Sequence, residues 1–322
     1  MTARRPLVLF FTTKEFLTWG EPVPEGLLPG CTTECEITTS MARLTEADAV
    51  VFHIPTLTGL RQVPKRPGQL WVAWSMESEL NFPQLTNARF LRHFDLMMTY
   101  RLNSDVPILY VTECFGAEPS SALRTVPADK TAEAPAVYFD SNQWARSKRA
   151  EYVSELMQHV TVHSYGRSLR NRELAEDEGR PTKLATIARY KFTIAIENSY
   201  CQDYVTEKFY DPLVAGSVPV YRGAPNIEDF VPGDRCYIRI EDFTGPRELA
   251  EYLTMLDRDD QEYGRYFEWK QAPLRPGFEH VVAAYGSDPK CRLAAKLVSL
   301  HQASASNGNL VGRWVRALGS SR

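Results

Sequence analysis

The residues best placed to do chemistry lie in the stretch 192–208, FTIAIENSYCQDYVTEK, where a mostly apolar run leads straight into a polar loop that opens a helix. Glu197, Asn198, Asp203, Tyr204, Thr206, Glu207 and Lys208 crowd into this stretch. A lysine in the first turn of a helix sits at the wrong end of the helix dipole. A phosphate bound at that end would remove the conflict, because the free backbone N–H groups and the Lys208 ammonium would then face one anion. The carboxylate of Glu207 beside it suits the two hydroxyls of a ribose. Read on spacing alone, Glu207 and Lys208 could equally be a surface ion pair.

Three other segments carry candidate groups. Ser141 and Asn142 follow a short apolar run, and the cations Arg146, Lys148 and Arg149 come directly after them, so one of these could reach a diphosphate near Lys208. In the first half, the run 71–81, WVAWSMESELN, brings a strand into a loop bearing Glu77 and Glu79, either of which could act as a general base. The segment 100–105, YRLNSD, forms a second polar loop after the next apolar run. Neither a dinucleotide-binding nor a P-loop glycine fingerprint occurs. The six histidines are isolated, and Cys31 and Cys35 have no nearby histidine to complete a zinc site. Asp257-Arg258-Asp259 has the D-x-D form of a metal-binding motif but falls at the end of an amphipathic helical stretch, where a solvated helix end is the simpler reading.

The elements that must position these groups alternate in type. Strands are expected at 7–11, 49–54, 70–74 and 96–99 in the first half, and at 136–139, 160–165, 192–196, 218–221 and 236–240 in the second. Helices are expected at 144–160, 204–215 and 247–256, with Gly216 as the C-terminal cap of the second. Residues 118–135, rich in Ala, Pro, Ser and Thr, read as a linker. Such alternation predicts an α/β fold of two Rossmann-like, doubly wound domains facing across a cleft. Ligands in such sheets bind outside the carboxyl ends of the strands, which is where the candidate groups fall. The expected division is 1–135, 136–290, and a terminal helix and tail at 291–322.

Together these segments resemble glycosyltransferase family 10, the α-1,3/α-1,4-fucosyltransferases. The resemblance is carried by ENS followed by DYVTEK, by YFDSNQWARSKRAEYVSEL, HSYGRSLRNR, GAPNIEDF and YFEWK, and by SMES with TYRLNSD in the first half. It implies a GT-B fold, GDP-fucose as donor and inverting transfer to the 3-hydroxyl of N-acetylglucosamine, with no obligatory metal or other cofactor. It further implies Glu77 as general base, with Glu79 its first replacement, and Arg149 and Lys208 at the diphosphate. Asn198, Tyr204 and Glu207 would hold the rest of the nucleotide sugar, Glu197 would face the fucose or its departing oxygen, and Ser141 and Asn142 would line the nucleotide pocket. The run FEHVVAAYGSDPKCRL is closer to enzymes that fucosylate the N-glycan core than to Lewis-type enzymes acting on N-acetyllactosamine. A glycan-binding protein on a transferase fold is the rival reading. Acceptor choice would lie in first-domain loops, including 19–29.

Composition agrees with a globular enzyme and narrows its partners. Of 322 residues, 43% are hydrophobic and 24% charged, and the net charge of −3 gives no global field for nucleic acid. Six scattered cysteines without a C-x-x-C pair suggest reduced thiols in a cytoplasmic protein. Where core-modifying relatives carry a terminal C-R-L-C pair, this chain has Cys291-Arg-Leu-Ala294, so Cys291 is expected to lack that partner. No apolar run reaches the ~18 residues of a membrane span, which leaves at most peripheral contact through the tail around Trp314.

Overall fold

The computed structural model describes residues 5–11, 25–60, 63–115, 119–125, 127–142 and 144–306. Most of the segment 19–29 and the tail around Trp314 lie outside them. The chain forms two compact units, residues 1–108 with 287–322, and residues 109–286.

The first unit is built on a six-stranded sheet of β1 (Leu7–Phe11), β2 (Gly26–Leu27), β3 (Glu36–Thr38), β4 (Ala49–His53), β5 (Leu70–Ser75) and β6 (Leu96–Thr99), in the order β2-β3-β1-β4-β5-β6. All neighbours are parallel except β2 and β3. Both faces are covered, which is why the strands read as nearly continuous apolar runs. Val8, Phe10, Val51, Val72 and Trp74 pack on one face with Leu293, Ala294 and Leu297 of the terminal helix α10 (Pro289–Ser306). Leu9, Val50, Phe52, Trp71 and Ala73 pack on the other, against Leu44, Phe90 and Phe94.

The second unit holds β7 (Ala136–Asp140), β8 (Val162–Gly166), β9 (Phe192–Ile196), β10 (Val218–Arg222) and β11 (Ile238–Arg239), all parallel, in the order β11-β10-β9-β7-β8. Helices α4 (Arg149–Leu156) and α7 (Pro246–Arg258) supply Val153, Leu156, Leu249 and Leu253 to one face, and α5 (Arg180–Ala188) supplies Ile187 to the other. Chain order reverses between β7 and β9, so the crevice outside their carboxyl ends is the topological switch point of this sheet.

Helix α6 (Glu207–Ala215) follows β9 and is fixed at both ends. Thr206 caps its start. Gly216 ends it with φ 73°, the left-handed conformation expected of a C-terminal cap. Lys130 Nζ donates to Gly216 O at 2.6 Å and to Ala188 O at 2.9 Å, and Lys270 Nζ donates to Leu213 O at 3.0 Å and Leu123 O at 2.6 Å. Two ammonium groups therefore satisfy carbonyls at the negative end of the helix, where cations belong. Asp211, fully buried mid-helix, is matched by Arg180 and Lys183.

These anchors explain where the division differs from the expected 1–135, 136–290 and 291–322. Lys130 and Ala134 tie the expected linker into the second unit, and the apolar face of α10 joins the core of the first. Helix 144–160 is shortened to 149–156, helix 204–215 begins at Glu207, and strand 236–240 contracts to 238–239. Asp257-Arg258-Asp259 is a helix end, with Asp259 capping α8 (Asp260–Gly264).

The cysteines require a correction. Cys31 and Cys291 form a disulfide with Cα atoms 5.2 Å apart, while Cys35, Cys114, Cys201 and Cys236 are free and buried. Cys291 has a partner after all, 260 positions away, which sequence spacing could not reveal because only the return of α10 to the first sheet brings the two together. The expectation of six reduced thiols fails, and with it the support that the thiols gave to a cytoplasmic location.

Replacing Cys31 or Cys291 with Ser should lower the unfolding free energy by about 2–5 kcal/mol. Denaturant titration with and without reductant checks this. Reductant should bring the unsubstituted protein to the level of the variants, and an unchanged midpoint would contradict the bond.

Candidate functional site

At the switch point, β9 ends at Ile196 and the next residue, Glu197, is fully enclosed. Its carboxylate accepts from Thr206 N and from Thr206 Oγ1, each at 2.8 Å, while Thr206 Oγ1 in turn accepts from Lys208 N at 3.3 Å. One residue thus fixes Glu197 and caps α6. Lys208 Nζ lies 2.8 Å from Glu207 Oε1, 3.2 Å from Thr206 Oγ1 and 3.8 Å from Glu197 Oε2. Two carboxylates therefore answer the misfit of Lys208 with the helix dipole in the unliganded protein. The simple surface pair is excluded, because the third partner is buried.

Charge is distributed unevenly over this cluster. Burial pushes the Glu197 carboxyl up from 4.5 to about 7, against the pull of Lys208 and the Thr206 hydrogen bonds. Burial alone would raise Glu207 too, but Lys208 and Lys183 outweigh it and hold that carboxyl down at about 2. Burial disfavours the Lys208 ammonium, yet Glu207 and Glu197 more than compensate and its pKa rises. Arg149 lies near enough for its charge to oppose that of Lys208.

Arg149 is the first residue of α4 and is turned inward, 3% exposed, whereas Arg146 and Lys148 point to solvent. Its guanidinium is paired with Asp140 through both carboxylate oxygens and donates to Ile196 O at 2.9 Å. Asp140 Oδ1 also accepts from Asn142 N at 2.9 Å, and Asn142 Oδ1 from Trp144 N at 3.1 Å, so the loop carrying Ser141 and Asn142 is a sequence of side-chain-closed turns. Ser147 N donates to Asn198 O at 3.1 Å, joining this loop to the one after β9. Lys148 (φ 53°) and Asp203 (φ 66°) are non-glycine residues in the left-handed region, one in each loop. Such positions cost on the order of 1–3 kcal/mol and cluster at functional sites. Asp203 is held there by Asn226, whose Oδ1 accepts from Asp203 N at 2.8 Å and whose Nδ2 donates to Asp203 Oδ1 at 2.9 Å. Asn198 is 8% exposed at the crevice, and Tyr204 is enclosed, with its ring edge-on to Tyr110.

In the first unit, Glu77 and Glu79 follow β5 at its carboxyl end, half-buried. The two differ in their partners. Glu79 is engaged on one oxygen by the Tyr100 hydroxyl and on the other by Arg101 at 3.3 Å, while Glu77 Oε2 receives Asn81 Nδ2 at 3.4 Å. The segment 100–105 thus serves to occupy Glu79. Ser75 Oγ accepts from Glu77 N and donates to Glu77 O, both at 3.1 Å, fixing the backbone that carries Glu77.

Sequence reasoning missed Asp140 and Asn226 as organisers of the second-unit site, and named Thr206 without its capping role. Asp140 was open to detection as an acidic residue at a strand end followed, nine positions on, by an arginine. Among the described residues, no group of three or more His, Cys, Asp or Glu side chains is placed to hold a metal, and no helix is long and apolar enough to cross a membrane.

Two family models match the chain: "Glycosyltransferase family 10 (fucosyltransferase) C-term" over residues 129–311 and "Fucosyltransferase, N-terminal" over residues 3–111. Alpha-(1,3)-fucosyltransferase B of Drosophila melanogaster is 35% identical over 251 residues, covering 73% of this chain and 56% of that protein. GDP-fucose protein O-fucosyltransferase 3 of Homo sapiens is 37% identical over 231 residues, covering 68% and 47% respectively. The chain therefore spans about half the length of these curated relatives. Among solved structures, an α1,3-fucosyltransferase aligns over 96% of this chain and 93% of its own, with a TM-score of 0.60 at 15% identity, and one described as holding GDP-fucose aligns with a TM-score of 0.57 over 96% and 94%. That likeness establishes a shared two-sheet, GT-B fold.

The raised Glu197 carboxyl makes stability depend on pH in a defined direction. Its protonated form is favoured in the folded chain, so this contribution is fully present below pH 4.5 and is lost as pH rises through about 7, by on the order of 3 kcal/mol. The contribution of Glu207 has the opposite sign and is lost only below pH 4.5, outside that rise. Unfolding free energies measured from pH 5 to 8 should therefore fall less steeply in Glu197→Gln than in the unsubstituted chain. Equal slopes would show that Glu197 does not titrate there.

Proposed function

Because the chain belongs to glycosyltransferase family 10, the fucosyltransferases, we propose that it moves fucose from GDP-fucose to an acceptor hydroxyl with inversion at the anomeric carbon. The observation that carries this reading is the placement of Arg149 and Lys208 in one electrostatic neighbourhood at the switch point. Two cations beside a helix N-terminus suit a diphosphate, which would share them with the carboxylates of Asp140, Glu207 and Glu197 that pair them here.

The acceptor oxygen bonds to the anomeric carbon, the bond from that carbon to the β-phosphate oxygen breaks, and the hydroxyl proton passes to Glu77. Glu77 takes this role by its place in the loop after β5, where Ser75 fixes the backbone that carries it. Arg149, Lys208 and the first turn of α6 receive the charge that builds on the leaving diphosphate, so no obligatory metal is needed. Glu207 takes the ribose hydroxyls, Asn198 with Ser141 and Asn142 lines the nucleotide, and Tyr204 acts by packing beneath the loop. Glu197, expected at the fucose or its departing oxygen, would act on it from behind, through Lys208.

The acceptor we favour is the 3-hydroxyl of an N-acetylglucosamine residue, as in the N-glycan core. A hydroxyl on a protein is the second reading, prompted by the likeness to protein O-fucosyltransferase 3. Incubation with GDP-fucose and a panel of chitobiose, N-acetyllactosamine and folded protein acceptors, followed by linkage analysis, separates them. Absence of GDP release with every acceptor would overturn the assignment.

Two outcomes follow from the residue roles. Glu77→Gln should bind GDP normally and lose transfer by about 10²-fold or more, whereas near-normal turnover would move the base to Glu79. Donor affinity should weaken as pH rises from 6 to 8, because an ionised Glu197 repels the diphosphate beside Lys208. GDP-fucose is the ligand to titrate, since its esterified phosphates lose no proton in this range, and Glu197→Gln should flatten the dependence. A dependence that survives in the variant would contradict it.

A further inference from the structure

A second concavity lies one strand away from the donor crevice. It has a volume of about 250 Å³, below the roughly 300–1,000 Å³ of sites that engulf a drug-sized ligand, so it is sized for a single ring and not for a nucleoside diphosphate. Its floor comes from the carboxyl end of β10 and the loop after it, where Tyr221, Pro225 and Ile227 are apolar, and its rim from Tyr200, Arg239 and Glu241. It borders the donor site directly. A Cβ on Gly223 would come within 2.5 Å of Glu197 Cγ and 2.2 Å of the Tyr221 hydroxyl, so only glycine lets this backbone lie against the buried carboxylate.

The lining has one chemical character. Tyr200 is one of the few large aromatic side chains left substantially exposed, at 39%, in a loop whose neighbours Ser199 and Cys201 are buried. Its hydroxyl reaches Ser147 O at 3.4 Å, which steadies the ring. Across the pocket stand a donor and an acceptor, the Arg239 guanidinium and the Glu241 carboxylate, 3.8 Å apart. Arg222 holds Glu241 at 3.3 Å and is itself stacked on Tyr152, 4.6 Å from the ring centroid, so the rim is set before any ligand arrives. An aromatic face and a proline, opposed by a guanidinium donor and a carboxylate acceptor side by side, match a body with an apolar C–H face and a ring of hydroxyls. A purely apolar ligand would strip water from both charged groups.

We propose that this pocket binds one pyranose ring of a saccharide acceptor, a ring other than the fucose being transferred, with Tyr200 stacking on its C–H face and Arg239 and Glu241 bonding to neighbouring hydroxyls. The inference rests on the transferase reading for the word acceptor, and on the pocket alone for the saccharide.

Saturation-transfer NMR on the full chain with chitobiose, and separately with N-acetyllactosamine, tests it without any donor. Protons of at least one disaccharide should receive saturation, with or without GDP present. Tyr200→Ala and Arg239→Ala should each weaken that binding about tenfold, Tyr200→Phe should keep it, and GDP affinity should be unchanged in all three. Both side chains are partly exposed, and thermal melts establish that the variants fold. No saturation in the unsubstituted protein, or equal saccharide affinity in the alanine variants, overturns the proposal. Failure of the unsubstituted protein to bind GDP would instead sink the donor assignment and leave the pocket standing.

Discussion

The second unit is organised around one constraint: a lysine is held in the first turn of a helix, where the helix itself repels it. Three groups make that position tolerable, namely Thr206 as cap, Glu207 as ion-pair partner and Glu197 as a buried carboxylate behind both. Much of the surrounding structure keeps this arrangement rigid. Lys130 and Lys270 clamp the far end of α6, Arg180 and Lys183 neutralise Asp211 in its middle, and Asn226 locks the left-handed Asp203 that lets the loop turn into the helix. Beside it, Arg149 is buried and paired with Asp140. A buried ion pair of this kind is weak evidence for stability, since desolvation offsets much of its Coulomb gain, and its value is better sought in what it positions.

The sheets and the edge of the sheet where chemistry is possible were legible in the sequence. Seven expected strands, at 7–11, 49–54, 70–74, 96–99, 136–139, 192–196 and 218–221, match observed strands to within a residue, because buried parallel strands leave an unmistakable apolar run between turn residues. The helix-dipole argument at Lys208 pointed to a loop where the structure gathers paired, buried charges. What stayed hidden depends on the third dimension. Cys31 and Cys291 are joined only because α10 returns to the first sheet, and residues 118–135 look like a linker because their anchoring, by Arg124 and Lys130 to carbonyls and by backbone bonds from Thr131 and Ala132, carries no sequence signature. Asp140 sat in plain view, but nothing in its neighbours announced that Arg149 would turn inward to meet it while Arg146 and Lys148 did not.

Under the proposed function the two units would differ by residue type. The first would contribute a carboxylate after β5, and the second cations and a helix N-terminus. The relatives differ in their names, one being named for an α-(1,3) linkage and another for transfer to protein. The aromatic and charge-paired pocket beside Gly223 gives this chain a feature on which acceptor choice can turn.

A crystal structure of the protein soaked with GDP tests the central claim most directly. The account predicts the β-phosphate within hydrogen-bond distance of Lys208 Nζ and of the Arg149 guanidinium, with the ribose hydroxyls on Glu207. A nucleotide bound away from the start of α6, with the Lys208 pairs to Glu207 and Glu197 undisturbed, would contradict it.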